Sequence, residues 1–423
     1  MVCALVLGGR LHPDEVHQWL EPAHRWIFGY GTRSTEWWLG MRNVLGPGLV
    51  AAVFACCKAL GATSATALVG SAQACTAALS LRALVALHRV VARDAGEPAA
   101  DRAVTLLALS APFANLAFRP MGESLSVVAA LLALEALPAA PAIAGACLGA
   151  AFVVRYPSGL LALAPAWSLR RNPRNLLRFA FGGGAVLAVL GIADGVAWGS
   201  AFHSVRAYVS FNFVAGRASI DFGSRPAWFY LAVLPLLAPL GALVPPWPRR
   251  LGVTGATGLV YVLVMSAVAH KELRFALVAV PFATAALAAG GAWRSRRAET
   301  LAIVVTALQS AVIVVGLRHT NYCQGEEARA AMWLGTRGDV REVVMVNATH
   351  PGYVRLRRDV PVTGDRHEHC AATVADLARR GGACVPGRFL VCDGRRGACS
   401  AESFGAACGV VATFGRTTVV TAR

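Results

Sequence analysis

Apolar runs of bilayer length recur along this chain, and the charges gather in the short stretches between them. A hydrocarbon core of ~30 Å needs about 20 apolar residues per helix. Runs of that kind fall at 44–62, 65–87, 103–118, 122–137, 141–168, 179–197, 227–244, 251–269, 275–292 and 299–317. Only 15% of the residues are charged and 56% are apolar, against roughly 25% charged in a soluble domain. The mean hydropathy is +0.54. The expected fold is therefore an all-α polytopic membrane protein of about ten to twelve transmembrane helices. Arg155-Tyr156-Pro157 interrupts the run 141–168. Proline breaks a helix, and the freed backbone groups survive in a membrane only when buried in protein or lining a cavity. The first run, Val2 to Gly8, is too short to span, and no small-residue cleavage site follows it.

The net charge of +17 is read as membrane topology rather than as a nucleic-acid surface. The arginines sit in short loops between spans, the positive-inside pattern, and no aromatic-basic module appears. From residue 170 onward the basic loops are expected to be cytoplasmic. The long polar loop 194–226, the stretch 270–275 and the tail then share the opposite face. The tail holds Cys323, Cys370, Cys384, Cys392, Cys399 and Cys408. Six cysteines in a polar segment predict an oxidising compartment and up to three disulfides, with the pairing open. Strands are expected at Val343–Val346 and Phe389–Cys392, and a helix at Ala371–Arg380, so the tail reads as a small α/β domain. Asn347-Ala348-Thr349 is a glycosylation sequon. Asp365, His367, His369 and Cys370 are better read as a polar turn than as a metal site.

Four polar groups stand on or near the outer face. The first is Asp14-Glu15, inside an aromatic-rich segment, 9–43, expected to lie as an interfacial helix. Asp14, His17, Glu21 and His24 or Arg25 recur there at helical spacing, which places them on one face. The second is Arg119 with Glu123. The third is the 194–230 loop, with Asp194, Asn212, Arg217, Asp221 and Arg225. The fourth is His270-Lys271-Glu272-Leu273-Arg274. Ionisable residues at span boundaries are costly unless they face a cavity or an anionic partner. One carboxylate base opposite several cations suits glycosyl transfer from a lipid phosphate. The acceptor hydroxyl must lose a proton, and the leaving phosphate gains charge. No Gly-rich phosphate loop or Asp-x-Asp motif offers a sugar-nucleotide site.

The residues carry a specific resemblance. His12-Pro13-Asp14-Glu15, then Glu21-Pro22-Ala23-His24-Arg25, Phe28-Gly29-Tyr30-Gly31, Glu36-Trp37 and Met41-Arg42-Asn43 resemble the first lumenal loop of glycosyltransferase family 22. These are the Alg9-like α-mannosyltransferases, which use dolichyl-phosphate mannose and include enzymes of GPI-anchor assembly. His270-Lys271-Glu272-Leu273-Arg274-Phe275 matches the family's His-Lys-Glu-x-Arg-Phe signature completely. Arg119 with Glu123 matches its Arg-Thr-x-x-Asn-x-x-Glu motif in part. The chain departs from the family at Ser34-Thr35-Glu36-Trp37 and at Pro120.

The resemblance implies a GT-C-type fold. It implies a hexosyltransferase that moves mannose from dolichyl- or polyprenyl-phosphate mannose to a lipid-linked glycan, favouring a GPI-anchor-type precursor, with inversion. Asp14 is the expected base, with Glu15 second. His270, Lys271, Arg274 and Arg119 are expected at the donor phosphate. Glu21, His24, Arg42, Glu123, Asn212 and Glu272 are expected in acceptor or structural roles. No metal or other cofactor and no nucleic acid is expected; the bilayer is a partner. The expected domains are a transferase domain, 1–320, and a cysteine-rich extracytoplasmic domain, 321–423. The site should face the endoplasmic reticulum lumen in a eukaryote, or the outside of the plasma membrane in a bacterium. The competing readings are a lipid-linked-sugar transporter or flippase, or a catalytically inactive member. A transporter should show two pseudo-repeated halves, which this sequence lacks.

Overall fold

The computed structural model describes residues 9–247, 251–291, 293, 295–348, 350–364, 383–394, 399, 404 and 407–422. The run Val2–Gly8, Arg249, Arg250, Arg294, Thr349 of the sequon, the Asp365–Cys370 turn and the Ala371–Arg380 helix lie outside the described residues. Backbone proximity divides the chain into two compact units. One comprises 1–35, 49–72 and 316–423; the other comprises 36–48 and 73–315.

Among the described residues of 73–315 the regular elements are all helices. By length and composition three helices, Ala65–Ala95, Pro173–Trp198 and Arg296–His319, can cross a bilayer. Ala111–Ala117 and Gly122–Ala136 make a fourth span if taken together, bent by 95° at their break. That break is Phe118-Arg119-Pro120-Met121, where Pro120 lacks the N–H that a continuous helix requires. Shorter apolar helices are Leu45–Ala59, Pro141–Val154, Val253–Ala267 and Leu273–Ala288. The apolar run 227–244 divides into Phe229–Leu237, which contains Pro235, and a 3-10 turn, Leu240–Leu243. Pro141–Val154 packs closely on Pro173–Trp198 through small residues. A Cβ at Gly145 would lie 1.9 Å from the Phe179 oxygen, and one at Gly182 1.8 Å from the Ala142 oxygen. Only a residue without a side chain lets those backbones approach so nearly.

The other unit carries a five-stranded sheet. Its strands are β1 (Glu342–Val346), β2 (Val362–Thr363), β3 (Arg388–Asp393), β4 (Cys408–Phe414) and β5 (Thr417–Ala422), in the order β2-β1-β3-β5-β4. β1 lies parallel to β2 and β3, while β5 is antiparallel to both β3 and β4. Side chains alternate between the faces. Val343, Met345, Phe389, Val391 and Val419 pack with Leu334 of the helix Gly325–Gly335. Val344, Val346, Leu390, Cys392 and Val420 pack with Ala383 and Phe404. β4 and β5 meet at a tight turn in which Gly415 takes φ +65°, a backbone region natural to glycine. Two disulfides, Cys384–Cys408 and Cys392–Cys399, brace this second face. Cys323 is buried apart from them, and Cys370 lies outside the described residues.

The first polar segment differs from the expected interfacial helix. It opens with a π-helical stretch, Glu15–Leu20, and continues as an α-helix, Glu21–Phe28. The wider π turn offsets the i, i+4 spacing. Glu15, Trp19, Glu21 and His24 are buried, and only Arg25 and Trp26 turn outward. Trp37 is buried as well, whereas Trp38 is 67% exposed.

Candidate functional site

Within the helical unit, the His270–Arg274 stretch sits at the foot of the helix Val253–Ala267 and opens Leu273–Leu277. Glu272 holds the charges on either side of it. Arg274 donates Nε–H to Glu272 Oε2 at 2.7 Å and a second N–H to Oε1 at 3.2 Å. His270 Nε2 lies 3.0 Å from Glu272 Oε1, and its Nδ1 lies 3.0 Å from the Gly223 carbonyl oxygen. Both partners are acceptors, so both ring nitrogens must donate and the ring is the imidazolium. The Glu272 hydrogen bond raises the His270 pKa accordingly.

Glu123 joins the same cluster. The break at Pro120 starts a new helix at Gly122 and puts Glu123 in its first turn, where a negative charge is favoured. Its Oε1 lies 3.3 Å from Arg274 and accepts from Arg155 Nε at 3.1 Å. A Cβ at Gly122 would lie 2.7 Å from the Val154 oxygen and 3.2 Å from the Arg155 Cβ, so glycine allows this approach. Arg155 also donates to the Tyr261 hydroxyl at 2.9 Å, which donates on to the Phe275 carbonyl at 3.2 Å. The Phe275 ring carries both guanidiniums, at 4.4 and 5.0 Å. Glu123, Arg155 and Arg274 are each about one-tenth exposed or less. Buried charges of this kind persist only when paired and hydrogen-bonded.

The remaining expected residues of this unit have other partners. Lys271, 5% exposed, donates to the carbonyls of Arg225 and Val268. Together with Arg225 N–H to the Ala269 oxygen at 3.0 Å, this fixes 223–225 against 268–271. Arg119 is fully buried, faces Asn115 Oδ1 at 3.2 Å and lies 4.4 Å from the Phe118 ring. Arg42 makes a two-point bond to Glu36, at 2.9 and 2.7 Å. Asn212, in the π-helical stretch Ser210–Val214, donates to the Tyr208 carbonyl of the preceding helix, His203–Val209.

Sequence reasoning named Arg155 only as a break in a span and left Tyr261 out. The signal for Arg155 was the Arg-Tyr-Pro interruption of a long apolar run. A buried relay was also missed. Asn43 donates to the Tyr156 hydroxyl at 3.1 Å, Tyr156 to Ser204 Oγ at 2.6 Å, and Ser204 to Asp194 Oδ2 at 2.5 Å.

Asp14 and Glu15 belong to the other compact unit. Asp14 Oδ1 lies 3.1 Å from His12 Nδ1, and both side chains are partly exposed. Glu15 is fully buried and accepts the Leu11 N–H at 2.8 Å. Glu21, also fully buried, accepts from the Val354 and Thr32 N–H groups at 2.8 and 2.9 Å. Burial pushes its pKa up to about 7. His24 Nδ1 faces the Tyr30 oxygen at 3.0 Å, and its Nε2 faces Arg357 at 2.6 Å. Nε2 must therefore accept, and the ring is neutral. Burial, with Arg357 beside it, lowers the pKa to about 4.

These helices and the small sheet make the chain an integral membrane protein of GT-C type. The fold matches that of ArnT from Cupriavidus metallidurans, in a crystal structure with undecaprenyl phosphate, at a TM-score of 0.61. That match is 14% identical and covers 99% of this chain and 95% of that one. The chain belongs to the Alg9-like mannosyltransferase family, whose model matches residues 1–328. GPI mannosyltransferase 3 of Yarrowia lipolytica is 25% identical over 391 residues, 85% of this chain and 73% of that protein. GPI alpha-1,2-mannosyltransferase 3 of Bos taurus is 26% identical over 291 residues, 64% of this chain and 53% of that protein.

Proposed function

We propose that this chain transfers mannose from a polyprenyl-phosphate mannose to a lipid-linked glycan of the GPI-precursor type. The carrying observation is the cluster around Glu272, where His270, Arg274 and Arg155 set three cations against the two carboxylates Glu272 and Glu123. A net positive, largely dehydrated cluster suits a leaving group that gains negative charge as the sugar departs, because preorganised cations stabilise developing charge. The undecaprenyl phosphate of the ArnT structure and the GPI relatives support a lipid-phosphate donor and a GPI-type acceptor. Lys271, with two of its three N–H donors committed to carbonyls, serves to shape the loop around the donor, and Arg119 adds positive charge.

Asp14 is the base. It is the partly exposed member of the acidic pair, so it is open to an acceptor hydroxyl, while Glu15 is buried against the backbone. The attacking oxygen displaces the phosphate from the sugar carbon in one step, with inversion; Asp14 takes the hydroxyl proton. The GPI relatives favour the endoplasmic reticulum membrane, with the site on its lumenal side.

The test is transfer from radiolabelled polyprenyl-phosphate mannose into endogenous glycolipid in purified membranes, comparing wild type with Asp14→Asn. Transfer by wild type and none by the folded variant is the expected result. Equal transfer by both moves the base to another residue. An inert wild type, with GDP-mannose inert too, turns the reading toward lipid-linked-sugar transport.

A further inference from the structure

The tail carries no motif of the transferase, yet its loop 350–357 is bound to the acidic segment, residues 9–32, by bonds more than 300 residues apart in sequence. Within this compact unit Glu21 receives Val354 N–H on one carboxyl oxygen and Thr32 N–H on the other. Arg355 donates to the Pro351 and Gly9 oxygens, at 2.9 and 2.8 Å. Arg10 donates to the His350 oxygen at 3.2 Å, and its own N–H meets the Cys323 oxygen at 2.7 Å. Arg357 reaches His24 and stands over the Phe28 ring at 4.1 Å.

The loop has been shaped to fit there. Gly352 takes φ +92°, and a Cβ on it would lie 2.7 Å from Val16 Cγ1 and 2.9 Å from Glu21 Oε1. Any side chain at 352 therefore meets both strain and a clash. The far end of the linkage is the acidic pair itself. With Gly9 and Arg10 tied to Arg355, His350 and Cys323, the next residue, Leu11, presents its N–H to Glu15. Val16, which closes on Gly352, follows Asp14-Glu15 directly in the π turn.

We propose that the loop 350–357 of the sheet domain is a positioning element for the acidic segment, coupled to it chiefly through Glu21. Its role is to fix Asp14 for proton transfer, so it rests on the assignment of Asp14 as base. Glu21, Gly352 and Arg355 are positioning residues: they act through the backbone that carries Asp14 and bind neither donor nor acceptor. A displacement of about 1 Å at a reacting group costs up to roughly a hundred-fold in rate, so disturbing this clasp should act on turnover rather than on donor affinity.

The experiment is steady-state mannosyl transfer by the full-length protein in membranes, with the polyprenyl-phosphate mannose concentration varied. Gly352→Ala, Glu21→Ala and Arg355→Gln are compared with wild type and Asp14→Asn. The expected result is a maximal rate down by roughly ten- to a hundred-fold with the donor KM within about two-fold. Glu21→Gln, whose amide oxygen still accepts one of the two N–H groups, should fall between Glu21→Ala and wild type. Hydrogen exchange over residues 9–20 should accelerate in the same order. Arg355→Gln removes the guanidinium that donates to the Gly9 and Pro351 oxygens and supplies the result if Gly352→Ala does not fold. Folded variants with wild-type turnover overturn the proposal, as does a raised donor KM at unchanged turnover. A fully active Asp14→Asn instead overturns the base assignment, whatever the clasp variants do.

Discussion

The two compact units handle buried ionisable groups in opposite ways. In the helical unit the two carboxylates of the cluster are met by cations: Glu272 by His270 and Arg274, and Glu123 by Arg155 and Arg274. In the sheet-bearing unit Glu21 is met by backbone N–H groups, and burial lifts its pKa to about 7. His24 beside it is driven down to about 4. The first arrangement keeps its charges and has a surplus of positive ones to offer a phosphate. The second sheds charge and works as a framework.

The sharpest test of that contrast is Asp14→Asn, expected to lower transfer by at least roughly a hundred-fold, measured in the membrane assay above. Next come the cluster charges. Glu123→Gln takes the carboxylate partner from Arg155, while Arg274 keeps Glu272; breaking a buried pair in this way costs about 3–5 kcal/mol, seen as lost thermal stability in detergent. Arg274→Lys should not restore activity, because an ammonium cannot span both Glu272 oxygens.

A subtler effect separates two buried groups of the sheet-bearing unit by pH. The folded pKa of Glu21, about 7, lies above its ordinary 4.5. Its contribution to stability is complete below pH 4.5 and is lost as the pH rises through about 7. His24 has a folded value of about 4, below its ordinary 6.5, so its contribution is present above pH 6.5 and is lost as the pH falls through about 4. Between the two ordinary values their slopes oppose each other. Glu21→Gln should therefore leave a Tm that falls more steeply with acid, and His24→Gln one that falls more steeply with base. Like slopes in both variants would break the opposition between Glu21 and His24. The smallest effect is expected from Arg217→Ala. Its pair with Asp221 is exposed, and such pairs contribute about 0–1 kcal/mol.

Much of the helical unit was legible because its signals are local. The apolar runs at 179–197 and 299–317 became the helices Pro173–Trp198 and Arg296–His319. The strands β1 and β3 announced themselves as apolar runs because both are buried on both faces. β4, half exposed at the sheet edge, and β5 gave weaker patterns and were not anticipated. The disulfide partners were also out of reach, since pairing depends on where the strands bring the cysteines. The π turn at Glu15–Leu20 escaped notice because nothing in periodicity distinguishes it from an α-helix.

What the sequence determined by itself is a membrane-crossing helical chain, a cysteine-braced tail, and the residue types gathered at 12–15 and 270–275. Each of these follows from composition or from neighbours a few positions apart. Only the tertiary structure decided that Arg155 and Glu123 join Arg274, that Lys271 serves backbone carbonyls, and that Val354 meets Glu21. Apart from Lys271 to Val268, three positions away, those contacts join residues between 32 and 333 positions apart. A buried group takes whichever partner the completed fold brings within about 3 Å of it, and sequence spacing holds no record of that distance.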